Sequence, residues 1–100
     1  MTVDFEAELW EWDARRTESW TFVSLPAEAS DDIRERTAGP RRGFGAVRVR
    51  VTVGATRWQT SIFPDSSRGA YVLPVKRAVR EAEGLEVGDT CTLRVELADP

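Results

Sequence analysis

The sequence predicts one mainly β domain with two short helices, an α+β chain of 100 residues whose strands close into a single small barrel. Long runs in which apolar and polar residues alternate are typical of half-buried strands. Two Leu-Pro pairs, Leu25-Pro26 and Leu73-Pro74, each separate a predicted strand from a predicted helix, which indicates two similar halves. The predicted order is β-β-α-β-β-β-α-β, with about six strands in one domain over residues 1–100.

The first strand follows from residues 3–9, in which every second residue is apolar and the residues between them are acidic. Trp10 and Trp12 fall on the acidic side of this pattern. Either the register therefore changes near Leu9, or the two rings form an exposed aromatic patch.

A second strand is predicted from Trp20 to Leu25, a segment rich in aromatic and β-branched residues. It ends at a proline, which suits the start of a helix. A helix is predicted over residues 27–37, because its acidic residues come early and its basic residues late, as the helix dipole favours. We expect its inner face to consist of Ala29, Ile33 and the stem of Arg36.

Residues 47–53 form the clearest predicted strand, since valine alternates there with arginine or threonine. We expect the valines to be buried, and Arg48 and Arg50 to be exposed. Further strands are predicted over residues 56–63 and 70–73. The strand positions that we expect to be buried are Phe5, Leu9, Val47, Val49, Val51, Leu93 and Val95.

The second helix is predicted over residues 75–83, because apolar residues recur there at helical spacing, and Gly84 should end it. Val75 and Val79 are expected to face inward, together with two alanines of the same helix. A last strand follows, in which Cys91 is expected to be a buried, unreactive thiol.

The chain has no histidine and one cysteine. This composition excludes histidine-based acid–base catalysis, Ser-His-Asp and Cys-His nucleophile systems, zinc clusters and internal disulfides within this chain. No apolar run is long enough for a membrane span, and the acidic start lacks the features of a signal peptide. We therefore expect a cytoplasmic protein with no membrane partner, no metal and no cofactor.

Charge is unevenly distributed along the chain. Residues 1–32 carry nine acidic and two basic residues, whereas residues 33–80 carry eleven basic and two acidic ones. Such asymmetry marks either a nucleic-acid or phosphate partner, or acidic strands that pair with basic strands. The second interpretation is favoured, with Arg48 and Arg50 as the basic side chains. Their expected partners on the first strand are Asp4, Glu6 and Glu8.

A compound motif runs from Trp58 to Asp89: Trp-Gln-Thr-Ser-Ile-Phe-Pro-Asp, then Gly-Ala-Tyr-Val-Leu-Pro-Val-Lys, then Arg80 and Gly88-Asp89. With the Trp20–Pro26 segment and the opening strand, it resembles the bacterial family called domain of unknown function 1905, which is found beside YdeI/OmpD-associated proteins. The resemblance implies a double-split β-barrel capped by helices, in the fold group of AbrB- and MazE-like DNA-binding dimers. It implies no activity.

The candidate ligand site lies within this motif. Lys76 and Arg80 are one helical turn apart at the start of the second helix, where the helix dipole favours a negative group. Trp58 and Tyr71 are the rings that would stack on an apolar part of the ligand, and Ser61 adds a hydroxyl. The alternative is a solvated helix face, with Tyr71 in the core.

Two weaker candidates lie elsewhere. Arg41 and Arg42 sit in a glycine-rich loop that lacks the spacing of a phosphate-binding P-loop. The aromatic residues are expected to lie mostly in the core, but one or two exposed rings beside basic residues would form a ligand- or base-stacking surface.

Three classes of function remain open. The favoured one is a non-enzymatic module that binds a small anionic ligand or a protein partner, as a monomer or weak dimer. The alternative is an AbrB-like DNA-binding protein, although a pI of about 5.0 argues against a nucleic-acid partner. The third is a small barrel enzyme that works without histidine, for which we assign no catalytic residue.

Overall fold

The computed structural model describes residues 1–12, 20–37 and 45–98. The loop that contains Arg41 and Arg42 and the polar turn after Trp12 lie outside the described residues. The strands are β1 (Thr2–Glu8), β2 (Trp10–Trp12), β3 (Trp20–Ser24), β4 (Val47–Val53), β5 (Thr56–Asp65), β6 (Ala70–Pro74) and β7 (Thr90–Leu97). The helices are α1 (Ala27–Arg36) and α2 (Arg77–Glu83).

The fold is mainly β, as predicted, and its described strands form one antiparallel sheet in the order β1-β7-β4-β5-β6-β3-β2. It has seven strands where about six were predicted, because the first predicted strand is interrupted at Leu9. The amide of Leu9 donates to the carbonyl of Asp89 at 2.9 Å, and its carbonyl accepts from the amide of Gly88 at 2.9 Å. These bonds to the turn before β7 leave β1 paired with β7 and β2 paired with β3.

The connectivity makes the sheet curve around the core. β1 and β2 are the two ends of the strand order, yet only Leu9 separates them in the chain. The sheet must therefore bend until its ends meet. β5 crosses the middle of the sheet and changes partner along its length, since Thr56–Ile62 pairs with β4 and Phe63–Asp65 pairs with β6.

The apolar sides of the strands face this enclosed core. All seven strand positions that were expected to be buried are buried, with Val49 and Val51 completely so, and Arg48 and Arg50 are exposed. The period-two pattern therefore identified the correct face of β1, β4 and β7. The confirmed set is Phe5, Leu9, Val47, Val49, Val51, Leu93 and Val95.

The first helix begins directly after Pro26 and ends with Thr37 as its cap, close to the predicted bounds. Ala29 and Ile33 are buried, as expected, but Arg36 is exposed, so the predicted contribution of its stem to the inner face is wrong. The inner face instead includes Ser30, which is completely buried.

The second helix begins at Arg77, two residues later than predicted, and ends where Gly84 adopts a φ of 66°. That left-handed conformation is easily reached by glycine. Val75 and Val79 are buried, as expected. The two alanines of the predicted inner face, Ala78 and Ala82, are exposed, so that part of the prediction is wrong, and Val79 is the buried residue of this seven-residue helix. None of the described helices is long and apolar enough to cross a membrane.

Candidate functional site

The outer face of β1, β7, β4 and β5 carries a ladder of charged side chains. On β7, Arg94 lies opposite Asp4 of β1 and Thr52 of β4. Its guanidinium donates two hydrogen bonds to the Asp4 carboxylate, at 2.7 and 3.3 Å. These hydrogen bonds lower the pKa of Asp4, and the same contact raises the pKa of Arg94.

The expected pairing of the β4 arginines with the first strand is wrong, because β7 lies between β4 and β1. Arg50 lies opposite Glu96 of β7, with 3.9 Å between guanidinium nitrogen and carboxylate oxygen. Arg48 lies opposite Ser61 of β5 and forms no ion pair within the described residues. The acidic and basic strands therefore do interact, but through different partners.

Three arginines of this face surround an open depression of about 600 Å³, which we call the arginine depression. Arg50, Arg57 and Arg94 line it, and Glu96 is its only acidic lining residue within the described chain. Arg57 forms no ion pair with any described residue. Since Arg94 is held by Asp4 and Arg50 approaches Glu96 only loosely, the depression keeps an excess of positive charge. The full lining is Arg50, Val51, Thr52, Arg57, Trp58, Gln59, Arg94 and Glu96.

The structure separates the aromatic and hydroxyl residues of the predicted ligand site. Tyr71 is 4% exposed and belongs to the hydrophobic core, so its ring is not open to a ligand. Trp58 and Ser61 are an odd number of residues apart on β5 and lie on opposite sheet faces. Trp58 packs against the core and also lines the arginine depression, and its indole Nε1 is buried without an acceptor in the described chain.

Lys76 and Arg80 remain together on the second helix. Lys76 is exposed and caps the helix, with φ −66° and ψ 155°. Arg80 is partly buried, and its Nε donates to the carbonyl of Val75 at 3.2 Å. This bond turns the guanidinium back along the start of the helix. Anion binding by this pair stays a prediction.

A second surface lies on the outer face of β2 and β3. Trp10 lies opposite Phe22, and Trp12 lies opposite Trp20, so four rings form one group that we call the aromatic cluster. The ring centroids of Trp10 and Phe22 are 5.1 Å apart, and those of Trp20 and Phe22 are 6.4 Å apart, both in stacked geometry. Trp12 is 54% exposed and Trp20 is 53% exposed. Of the two alternatives left open for Trp10 and Trp12, the structure shows the aromatic patch.

The turn between β5 and β6 adds a cation to the aromatic cluster. Asp65 accepts hydrogen bonds from the amide and hydroxyl of Ser67, at 3.0 and 2.7 Å, and from the amide of Gly69 through its carbonyl, at 2.9 Å. The hydrogen bond from the Ser67 hydroxyl is the main cause of a lowered pKa for Asp65. The turn places the Arg68 guanidinium 3.6 Å from the ring centroid of Trp10. This is a cation–π contact.

Sequence reasoning missed Arg57 and Arg94 as site residues, although both lie on the polar parity of predicted strands. The alternating pattern indicated that Arg57 and Arg94 point outward. Only the strand order shows that the two side chains share one surface. Cys91 is only partly buried, and burial raises the pKa of its thiol. Among the described residues, no group of three or more acidic or cysteine side chains is arranged to hold a metal ion.

Comparison with known proteins gives one family. No curated protein matches the chain. The model of the family described as domain of unknown function DUF1905 matches residues 5–95, which include β2, β3, both helices and β4 to β6. The match covers the three arginines of the arginine depression and the four rings of the aromatic cluster. The chain belongs to this family, as its motif from Trp58 to Asp89 indicated.

Proposed function

We propose that this domain is a non-enzymatic binding module whose ligand is an anion held in the arginine depression. The observation that carries the proposal is the convergence of Arg50, Arg57 and Arg94 on one concave surface, where Glu96 is the only acidic lining residue among those the structure describes. Guanidinium groups bind carboxylate and phosphate oxygens in paired, directional hydrogen bonds. Three of them around one depression suit a ligand with two or more negative groups.

The three arginines have different parts in this proposal. Arg57 has no carboxylate partner among the described residues and offers its full set of donors to a ligand. Arg94 is fixed by its two hydrogen bonds to Asp4 and is thereby oriented before a ligand arrives. Arg50 is 3.9 Å from Glu96, an exposed contact of little strength, so a ligand can replace it at small cost.

The pair Lys76 and Arg80 is the second candidate for the anion site. It has weaker support, because Tyr71 is buried in the core and Ser61 belongs to another face. The described depression beside this helix is lined by Arg77 and Arg80 but also by two glutamates, Glu81 and Glu86. The balance of charge there favours an anion less than it does in the arginine depression.

We also propose that the curved sheet is a double-split barrel. β1 and β2 together pair with β7 and β3, just as the two parts of β5 pair with β4 and β6. If β1, Leu9 and β2 count as one bent strand, six strands close a ring. The paired neighbours β3–β6 and β4–β7 support the two similar halves. Monomer or weak dimer and cytoplasmic location stay predictions.

The test is a titration with tripolyphosphate, a compact polyanion, followed by amide and indole NMR signals of the ¹⁵N-labelled protein. We expect shifts in β4, β5 and β7 and in the indole signal of Trp58, which lines the depression. A double variant, Arg50→Glu with Arg57→Glu, should weaken binding at least about tenfold, since each lost charged hydrogen bond costs about 1.5–3 kcal/mol.

Two variants serve as controls in the same titration. Arg34→Glu changes the charge at an exposed arginine of the first helix and should leave binding nearly unchanged. Lys76→Glu with Arg80→Glu alters net charge by the same amount as the test variant. If that helix variant loses binding while the depression variant keeps it, the anion site is on the second helix and the proposal is wrong.

A further inference from the structure

The aromatic cluster is an exposed apolar surface, and anion binding in the arginine depression does not explain why its rings are exposed. Trp12 and Trp20 are a little over half exposed, and Phe63 on β5 is 41% exposed. Phe63 is connected to the cluster through the sheet, because it lies opposite Val72 of β6, which in turn lies opposite Ser24 of β3. Exposed rings grouped in this way on a small domain mark a binding surface.

The exposed ring surface is small compared with a standard protein interface. A whole aromatic side chain has about 150–250 Å² to bury, so three half-exposed rings leave about 300 Å² open. A standard protein–protein interface buries about 800 Å² on each partner. The three rings alone would therefore supply less than half of the area that a stable dimer of this chain needs. Each exposed ring is instead large enough to stack on one flat ring of a ligand.

The aromatic and basic surfaces lie on one continuous outer face. The strand β5 runs from Arg57, in the arginine depression, to Phe63, next to the aromatic cluster. Six residues of strand span about 20 Å. Arg48 lies between, opposite Ser61, and its guanidinium has no ion-pair partner in the described chain. At the aromatic end, Arg68 covers Trp10.

We infer that the anion bound by this domain is a single-stranded nucleic acid, whose phosphates contact Arg48, Arg50 and Arg57 while its bases stack on Trp12, Trp20 and Phe63. The inference rests on the proposed function and names its ligand class. A strand of several nucleotides joins phosphates and flat bases over the distance that separates the two surfaces, whereas one nucleotide is too short. Proteins that bind single strands without sequence preference combine positive charge with aromatic rings in this way.

The acidic pI does not oppose this ligand, because the charges are separated on the surface. β7 lies between acidic β1 and β4, and Asp4 of β1 is already paired with Arg94. Arg48 of β4 and Arg57 of β5 form no ion pair among the described residues, so their charge stays available to a ligand. A duplex would hide the faces of its bases inside the stack. The structure therefore favours a single strand.

The experiment measures fluorescence anisotropy of a labelled thymine oligonucleotide of about 15 nucleotides, within the known range of single-strand sites. An abasic strand of equal length carries the same phosphates without bases. We expect the full-length protein to bind the thymine strand about tenfold more tightly than the abasic strand and than a duplex of the same length. The slope of log affinity against log salt should be about −2, which corresponds to about three phosphate contacts.

Variants then separate stacking from charge. Trp12→Ala and Trp20→Ala should each weaken thymine binding about tenfold and leave abasic binding unchanged, whereas Trp20→Phe should restore much of the loss. Val87→Ala removes an exposed apolar side chain elsewhere and is the matched control. Because Trp20 also packs against Phe22, Trp12 provides the variant that disturbs folding least.

The outcomes distinguish this inference from the proposed function. If the abasic and thymine strands bind equally and the tryptophan variants change nothing, the base-stacking inference is wrong and anion binding stands. If tripolyphosphate fails to shift the signals of the arginine depression but the thymine strand binds through Trp12 and Trp20, the proposed anion site is wrong. If the duplex binds best, or if neither strand binds, single-strand recognition is overturned.

Discussion

The hydroxyl of Ser30 replaces a missing strand partner, and its removal should destabilise the fold by a calculable amount. β3 ends at Ser24, and the chain then turns at Pro26 into α1. The carbonyl of Tyr71 on β6 accepts a hydrogen bond from the amide of Leu25 at 3.0 Å. Because the chain turns away after Leu25, β3 offers no carbonyl to the amide of Tyr71. This amide donates instead to the hydroxyl of Ser30, at 3.0 Å, inside the core.

The variant Ser30→Ala leaves the Tyr71 amide buried without an acceptor. A buried unpaired donor costs about 1–3 kcal/mol of unfolding free energy. Alanine returns about 0.5 kcal/mol through its higher helix propensity. The net loss is about 1.5 kcal/mol, which in a domain of this size lowers the melting temperature by about 6–12 °C. Thermal unfolding followed by circular dichroism measures this change.

A control variant and a second measurement show whether the change comes from the Ser30 hydrogen bond. Ser66→Ala is the same chemical change at an exposed turn position and should leave the melting temperature unchanged. Hydrogen exchange should show that the Tyr71 amide loses protection in Ser30→Ala more than its neighbours in β6 do. If Ser30→Ala has the same melting temperature as the wild type and the Tyr71 amide stays protected, this hydrogen bond does not hold the first helix to the sheet.

Two further predictions concern burial. Val79→Asp places an unpaired carboxylate at a position where the side chain is 5% exposed. It should lower the unfolding free energy, measured by urea titration, by more than about 3 kcal/mol. Ala78→Asp, on the exposed side of the same helix, should lower it little. Burial raises the pKa of the Cys91 thiol. Alkylation of Cys91 by iodoacetamide should therefore reach half of its maximal rate at a higher pH in the folded protein than in urea. Equal pH profiles in the two states would show that the thiol is not shielded.

The face of each strand could be predicted from the sequence, but the neighbour of each strand could not. Alternation places Val49 inside and Arg48 outside, because side chains of successive strand residues point to opposite faces. It does not say which strand lies alongside. Asp4 is paired with Arg94, ninety residues away, and that contact depends on β7 entering between β1 and β4.

The candidate site shows the same limit. Lys76 and Arg80 were predicted as a pair because they are close in sequence, and the helix keeps them close. Tyr71 was grouped with them for the same reason, yet β6 lies between β5 and β3 and its described side chains are mostly buried. Arg50, Arg57 and Arg94 come from three strands and could be recognised as one surface only in the folded chain.

In the proposed barrel, two long strands occupy equivalent places but present different outer faces. The bent strand β1–β2 pairs with β7 and β3, and β5 pairs with β4 and β6. Along β1 the outward residues are acidic, whereas along β5 they are Arg57, Gln59 and Ser61. We therefore expect an anion to be repelled by the acidic face of β1 and attracted to the outer face of β5. The proposed binding face would therefore be polarised, with the arginines of β4 and β5 at one end and the rings of β2 and β3 at the other.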